Sequence, residues 1–265
     1  MNREEYFAKV AEYKLLAKHE VGQNFLIDSN ACEKIVSCID YNVGDKILEI
    51  GSGAGSLSFF LNENNTGADL IDIDESLVLK LQGDFADGNV HPKIGNALKW
   101  PLETYNKIIG NLPYYITTGI LEKVLLNAKS LQKAVFMIQK EAFIRLIAKI
   151  NTEDYGPLHV LMAYRCQIKR EFNVPRTSFS PAPHVDSTVF SLNVINDDID
   201  TAQRLYKLVS GLFLNRRKTI YNNLGRYLNN ADKANEVLSL CHIDPKTRPQ
   251  NIDLNGYLSI LEAIK

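Results

Sequence analysis

The chain has 265 residues, of which 45% are apolar, and a formal net charge of −1, so it can bury an α/β core and still carry a second small unit. No apolar run approaches the ~20 residues of a membrane span, and the N-terminus lacks the basic and then apolar pattern of a secretion signal, so we expect a cytoplasmic protein. The four cysteines form no C-x-x-C pair and the five histidines show no metal-ligand spacing, which predicts reduced thiols and no metal.

The spacing of the apolar residues predicts an α/β domain followed by a helical one. An amphipathic helix is expected over residues 4–16. Strand-like runs lie at residues 46–50, 68–73, 91–94, 106–110, 133–139, 164–172 and 188–194. Because helical patterns separate the early runs, we expect a parallel sheet covered on both faces, to which the late strands add an antiparallel pair.

A polar break at residues 193–198 precedes a purely helical region. Helical patterns lie at residues 201–214, 216–228, 231–241 and 254–264. We therefore predict two domains, with the catalytic or binding core in residues 1–196 and a small helical domain in residues 197–265.

A glycine-rich segment follows the first predicted strand. The apolar run 47–50 leads into Gly51, Gly53 and Gly55 and then into a helical pattern. Glycines let a backbone approach a ligand closely, and the N-terminus of the next helix offers N–H groups to that ligand. This arrangement predicts a turn that binds a nucleoside or nucleotide.

An acidic residue on the next strand strengthens this interpretation. Asp72 follows at about the 20-residue spacing of nucleoside-binding βαβ units, where its carboxylate can accept from both ribose hydroxyls. NAD would favour the spacing G-x-G-x-x-G, whereas this chain has G-x-G-x-G directly after Glu49. An acid at the strand tip suits a cation, so S-adenosylmethionine is the stronger candidate and NAD the weaker. The alternative for each feature alone is a tight turn with a solvated acid.

The tetrad Asn111-Leu112-Pro113-Tyr114 stands at the end of the apolar run 106–110. If the Asn111 amide oxygen and the Leu112 carbonyl each accept one hydrogen of an exocyclic amine, the amine lone pair can point at an electrophile. Pro113 stiffens the turn because its φ is fixed, and Tyr114 offers a flat face on which a base can stack. The alternative is a strand-to-turn junction in which Asn111 begins an Asx turn.

Together with two further segments, these motifs resemble the rRNA adenine N6-dimethyltransferases of the KsgA/Erm superfamily. The resemblance is carried by residues 22–28 (GQNFLID), 49–55 (EIGSGAG), 111–117 (NLPYYIT) and 174–187 (VPRTSFSPAPHVDS). Gly22, residues 114–117 and residues 215–219 are more similar to the KsgA-type enzymes of the small subunit than to the Erm type. The resemblance implies a Rossmann-like class I methyltransferase domain, a small helical C-terminal domain and S-adenosylmethionine as the cofactor.

The resemblance also implies the cofactor-binding residues. Asn24 and Leu26 would cover the methionine end of the cofactor, Gly51 and its neighbours would cradle the amino-acid part, and Asp72 would hold the ribose. This chain has Asn96 where the family usually has an Asp that accepts from the adenine amine, so the hydrogen bond lacks a charge. The expected set is Asn24, Leu26, Gly51, Gly53, Asp72, Asn96 and Asn111.

By the same resemblance, the chemistry belongs to the tetrad and one distant aromatic residue. Asn111, Leu112 and Tyr114 match the catalytic motif, and Phe179 matches the aromatic residue that closes over the target base from the other side. We expect in-line transfer of a methyl group to adenine N6. The adenine must leave its stack, and Tyr114 and Phe179 would replace the lost stacking.

Basic residues are concentrated near the C-terminus. Residues 200–265 hold ten Lys/Arg against six Asp/Glu, which leaves the rest of the chain acidic. Arg216, Arg217 and Lys218 are candidates for phosphate contacts. The alternative is that this run is a solvated helix face.

The expected activity is dimethylation of two adjacent adenines in the 3′-terminal hairpin of 16S rRNA, with a role in ribosome assembly. The expected partner is the small ribosomal subunit, and we expect a monomer. Two alternatives remain open, an Erm-type methyltransferase acting on 23S rRNA and a non-catalytic RNA-binding assembly factor. The predicted N-terminal helix would pack on the core or face the RNA.

Overall fold

A computed structural model describes residues 2–12 and 24–264, apart from the side chains of Glu12 and Tyr114. Gly22 and the last part of the predicted N-terminal helix, residues 13–16, lie outside the described residues.

Nine strands and eleven helices are found within these described ranges. The strands are β1 (Phe25–Leu26), β2 (Ile47–Ile50), β3 (Asp69–Asp72), β4 (His91–Ile94), β5 (Lys107–Asn111), β6 (Lys133–Gln139), β7 (Cys166–Val174), β8 (Phe179–Ser180) and β9 (Ser187–Val194). The helices are α1 (Arg3–Glu12), α2 (Ser29–Ser37), α3 (Ser56–Glu63), α4 (Glu75–Asp84), α5 (Thr117–Asn127), α6 (Lys140–Leu146), α7 (Pro157–Arg165), α8 (Ile199–Phe213), α9 (Ile220–Leu228), α10 (Ala231–Leu240) and α11 (Leu254–Ala263).

The main sheet has seven strands in the order β4-β3-β2-β5-β6-β9-β7. The five neighbouring strands β4, β3, β2, β5 and β6 are parallel to one another, and β9 lies antiparallel to β6. All four residues of β2 are buried, as expected for a parallel strand covered on both faces. The α/β prediction is confirmed, and the late strand β9 is antiparallel to its neighbour β6. The strand order makes β2 and β5 neighbours, so the segments that follow them meet at one edge of the sheet.

A second, two-stranded sheet pairs β1 with β8 in antiparallel fashion. The sequence analysis missed it, because a strand of two residues is too short to show an alternating pattern.

The chain divides into two compact units. The first contains Met1–Phe143 and Ile168–Val194, and the second contains Ile144–Gln167 and Ile195–Lys265. This division differs from the predicted boundary at 196/197, because residues 144–167 join the helical unit. The physical reason is packing, since Tyr155 and Val160 are buried in one cluster with Leu205 and Leu208 of α8.

One predicted helix start is wrong. The pattern at 216–228 placed Arg216, Arg217 and Lys218 on a helix, but α9 begins only at Ile220 and the three basic residues lie in the preceding turn. Thr219 sets the start, because its hydroxyl oxygen accepts from the backbone N–H of Asn222.

Helix α1 packs on the core of the first unit. Tyr6, Phe7 and Val10 are buried there, and the Tyr6 ring stacks on Phe59 with the ring centroids 4.7 Å apart. In the described part of the chain, no helix combines the length and the apolar content that crossing a bilayer requires.

Candidate active site

A cavity of about 210 Å³ lies in the first unit, beyond the carboxyl ends of β2, β3 and β5. Most of the predicted site residues line it, namely Asn24, Leu26, Gly51, Gly53, Asp72, Asn111, Leu112 and Phe179. The cavity is also lined by residues outside the predicted set, among them Glu49, Ser52, Asp74 and Tyr115.

The glycine loop, residues 51–55, forms one wall of the cavity. Gly51, Gly53 and Gly55 have φ values of +72°, +54° and +84°, a region that other residues rarely adopt. The backbone N–H groups of Gly51 and Ser52 both donate to the Ile71 carbonyl, at 2.9 and 3.1 Å. These bonds hold the loop against β3, and α3 begins directly after it.

Asp72 stands at the end of β3 and its carboxylate is fixed by the backbone. The N–H of Gly53 donates to one oxygen and the N–H of Asp74 to the other, each at 2.9 Å. Burial raises the pKa of the Asp72 carboxyl above its usual value, and these two hydrogen bonds act in the opposite direction. Each oxygen keeps acceptor capacity beyond its backbone bond, so the carboxylate can also bind the hydroxyls of a ligand in the cavity.

Glu49 is a buried acid of the cavity wall. It is only 1% exposed, and the Ser58 hydroxyl donates to its Oε2 at 2.6 Å. Burial raises the pKa of Glu49 to about 8, against the Ser58 hydrogen bond and with a smaller repulsion from Asp72. The sequence alone shows an acidic residue near the end of β2. It does not show that Glu49 is buried, because the residues that cover it come from other elements of the fold.

Asn111 ends β5 on the opposite wall of the cavity. Its side chain lines the cavity, and no hydrogen-bond partner for the amide is found among the described residues. The backbone around it is fixed, because the Leu112 N–H donates to the Met137 carbonyl at 3.0 Å and the Thr117 hydroxyl donates to the Pro113 carbonyl at 2.9 Å. The amide is therefore available to a ligand at a well-defined position.

Pro113 has a φ of −61° and precedes the short 3₁₀ turn Tyr114–Ile116. The side chain of Tyr114 lies outside the described residues, so its predicted stacking role stays a prediction. Tyr115, 68% exposed, lines the cavity beside the tetrad. Tyr115 belongs to the motif 111–117 on which the resemblance rests, but the sequence analysis gave it no role of its own.

The small sheet brings the segments around Leu26 and Phe179 together at the cavity. Leu26 pairs with Phe179, and the Ser178 hydroxyl donates to the Asp28 carboxylate at 2.9 Å. Ser56, at the start of α3, donates to the Leu26 carbonyl at 2.6 Å. Phe179 is only 5% exposed, so it contributes to the core as well as to the cavity wall.

Two groups of predicted residues, Asn96 and the basic run 216–218, are not among the residues that line the cavity. Asn96 is exposed and does not line the cavity, and its Oδ1 accepts from the Leu98 N–H at 2.9 Å. Arg216, in the second unit, donates to the carbonyls of Glu153 and Thr152 at 2.6 and 3.4 Å. Only Arg217 and Lys218 of the basic run are exposed. Over the described ranges, no group of three or more His, Cys, Asp or Glu could hold a metal ion.

Residues 15–265 match the family model described as ribosomal RNA adenine dimethylase. The chain belongs to this family. This match confirms the resemblance drawn from the four motifs.

Curated relatives of this chain carry the name ribosomal RNA small subunit methyltransferase A. The protein of Mycoplasma capricolum is 36% identical over 259 residues, which is 94% of this chain and 97% of the relative. That of Pseudomonas fluorescens is 31% identical over 263 residues, or 96% of this chain and 95% of the relative.

Two solved structures share the fold of this member of the dimethylase family. A dimethyladenosine transferase from Plasmodium falciparum superposes with a TM-score of 0.74 at 24% identity, covering 87% of this chain and 94% of that one. The 23S rRNA methyltransferase ErmE gives a TM-score of 0.63 at 22% identity, covering 90% and 98%. The predicted class I methyltransferase fold is confirmed.

Proposed function

We propose that this protein transfers methyl groups from S-adenosylmethionine to N6 of two adjacent adenines in the 3′-terminal hairpin of 16S rRNA, as a step of small-subunit assembly. The observation that carries the proposal is the unpartnered Asn111 amide, among the described residues, on the same cavity as the glycine loop and Asp72. We further propose that it acts in the cytoplasm as a monomer on the small ribosomal subunit.

The residues around the cavity fit S-adenosylmethionine. Glu49, Asp72 and Asp74 line the cavity, and acidic side chains suit a sulfonium cation better than a diphosphate. The Ser52 hydroxyl is buried and has no hydrogen-bond partner in the described part of the chain, so it can bind a polar group of the cofactor. When bound, S-adenosylmethionine supplies an electrophilic methyl group.

The tetrad prepares the target amine for attack. The Asn111 amide oxygen and the Leu112 carbonyl each accept one amine hydrogen, which makes the nitrogen more tetrahedral and directs its lone pair. Neither group has to be a strong base, because the amine proton becomes acidic as the new bond forms and can leave to these acceptors or to water. Positioning therefore supplies most of the rate.

The target adenine has to leave its stack before it reaches Asn111. Tyr114 and Phe179 would then stack on the flipped base, which is worth ~1–3 kcal/mol per base. Arg217 and Lys218 of the second unit would contact rRNA phosphates.

Tritiated S-adenosylmethionine, incubated with undermethylated small subunits and separately with 23S rRNA, tests this function. We expect N6,N6-dimethyladenosine in 16S rRNA alone, and none from an Asn111→Ala control. Label confined to 23S rRNA would replace the proposal with an Erm-type activity. Cofactor binding without any transfer would leave a non-catalytic assembly factor.

A further inference from the structure

Helix α1 precedes the part of the chain that matches the family model. The match begins at residue 15, whereas α1 spans Arg3–Glu12. The family match therefore does not cover α1 and says nothing of its contacts.

Polar contacts on both sides of α1 tie it to the first unit. Arg3 forms an ion pair with Glu33 of α2 at 3.0 Å, and Lys9 pairs with Asp84 of α4. The Tyr6 ring packs between Phe59 and Phe85, with centroid distances of 4.7 and 5.8 Å. These contacts fix the position of the Tyr6 ring.

The Tyr6 hydroxyl contacts two backbone carbonyl groups of the glycine loop. It lies 3.1 Å from the Ala54 carbonyl oxygen and 3.2 Å from that of Gly55, so both oxygens are within reach of its one hydrogen. The Gly55 carbonyl already accepts from the Phe59 N–H at 2.9 Å. Across the described residues, the Ala54 carbonyl has no other donor. A Cβ on Gly55 would come within 2.3 Å of the Tyr6 oxygen, which shows how closely the two elements approach.

The loop is thus held from two directions. Gly51, Ser52 and Gly53 are bonded to β3 through the Ile71 carbonyl and the Asp72 carboxylate, and Ala54 and Gly55 are bonded to α1. Ala54 itself lines the cavity, so a shift of its carbonyl would move the cofactor-facing wall.

We propose that Tyr6 is a positioning residue, whose hydroxyl holds the glycine loop in the conformation that binds the cofactor. This inference rests on the proposed function, since it takes the ligand of the loop to be S-adenosylmethionine. Tyr6 does not line the cavity, so it acts through Ala54 and Gly55 and not on the reacting atoms.

The test compares three variants of the full chain. Tyr6→Phe removes the hydroxyl and keeps the stacked ring. Tyr41→Phe is the matched control, because its hydroxyl also donates to a backbone carbonyl, that of Asn64 at 3.4 Å, at the other end of α3. Phe7→Leu disturbs the packing of α1 and leaves the Tyr6 hydroxyl in place.

Calorimetry with S-adenosylhomocysteine should show that Tyr6→Phe weakens binding by about three- to tenfold, the effect of one hydrogen bond. The KM for S-adenosylmethionine should rise by a similar factor, while kcat at saturating cofactor stays at the wild-type value. Tyr41→Phe should keep the wild-type affinity, and Phe7→Leu should lower the melting temperature with little change in affinity.

Unchanged affinity in Tyr6→Phe, with binding by the wild type intact, would overturn this inference alone. A loss of affinity in all three variants that follows their melting temperatures would also overturn it, because α1 would then be only structural. A wild-type protein that binds no S-adenosylhomocysteine would overturn the proposed function, and this inference with it.

Discussion

The two walls of the cavity are held in different ways. On the cofactor side, defined as residues 49–55 and Asp72, both acidic side chains are hydrogen-bonded within the protein, Asp72 to two backbone N–H groups and Glu49 to the Ser58 hydroxyl. On the base side, defined as residues 111–115, hydrogen bonds hold the backbone at Leu112 and Pro113. The Asn111 amide has no partner in the described part of the chain, and Tyr115 is 68% exposed. This difference agrees with the proposal that the cofactor site is formed in advance, whereas the hydrogen bonds of the base site are completed by the substrate.

The largest expected effect separates the two sides. Asn111→Ala removes the side-chain acceptor of the base side and leaves the Leu112 carbonyl, so we expect the methyl-transfer rate to fall by on the order of 100-fold, as when a preorganised catalytic hydrogen bond is removed. Affinity for S-adenosylhomocysteine should stay close to wild type. Single-turnover transfer and calorimetry measure the two quantities. An equal loss in both would mean that Asn111 belongs to the cofactor side.

Asp72→Ala makes the reciprocal change on the cofactor side. The variant loses a hydrogen-bonding carboxylate, so binding of S-adenosylhomocysteine should weaken by about 1.5–3 kcal/mol, the range for hydrogen bonds to charged groups. The melting temperature should also fall, because the Gly53 and Asp74 N–H groups lose their acceptor. Asn111→Ala is the control. Calorimetry that shows wild-type affinity would remove Asp72 from the site.

The pH dependence of cofactor binding examines the electrostatics of the same side. Because the pKa of Glu49 is raised to about 8, the carboxyl is largely protonated at neutral pH, and a sulfonium cation favours its ionised form. Binding should therefore release a proton, and affinity for S-adenosylmethionine should rise with pH by up to about tenfold per unit until pH 8.

Two comparisons check the origin of that dependence. S-adenosylhomocysteine lacks the positive charge and should show a flatter profile, and Glu49→Gln should flatten the profile of S-adenosylmethionine. Affinity that falls as pH rises would contradict the assignment.

The pH dependence of folding stability has the opposite sign to that of cofactor affinity. Because the pKa of Glu49 is raised in the native state, the stability that Glu49 contributes is lost as pH rises through 8.

The smallest expected effect extends the comparison to the second unit. Arg216 is bonded to the backbone of Thr152 and Glu153, whereas Arg217 and Lys218 are exposed. Replacing Arg217 and Lys218 by Ala should flatten the salt dependence of RNA binding by about 0.7–0.9 log units of slope for each phosphate that is no longer neutralised. Arg216→Ala should mainly lower the melting temperature. An unchanged slope in the double variant would place the RNA-binding surface elsewhere.

Much of the cofactor side could be predicted from the sequence because its signals are local. The buried run of β2, the glycines that follow it and Asp72 at the end of β3 stand in a fixed order along the chain. Periodicity also placed the seven strands of the main sheet, since each is long enough to show its pattern.

The features that the sequence did not reveal depend on contacts between distant segments. The raised pKa of Glu49 comes from burial that several elements produce together, and the pairing of Leu26 with Phe179 links two-residue strands. Asn96 was assigned to the cofactor by resemblance alone, and its side-chain amide oxygen accepts from the Leu98 N–H in a local turn. Residues 144–167 carry no sequence feature that indicates which core they join.

The pairing of β1 with β8 has a consequence for the order in which the cavity forms during synthesis. Asp28 and Ser178, which are hydrogen-bonded beside this pair, are 150 residues apart in the chain. A chain emerging from the ribosome presents its N-terminal segments first, so the glycine loop and β3 exist before the segment that carries Phe179. A nascent chain that ends before β8 has the glycine loop and residues 111–115, but it lacks Phe179 and the strand β9 that pairs with β6. The complete cavity therefore forms only after the segment that carries β8 has been synthesised.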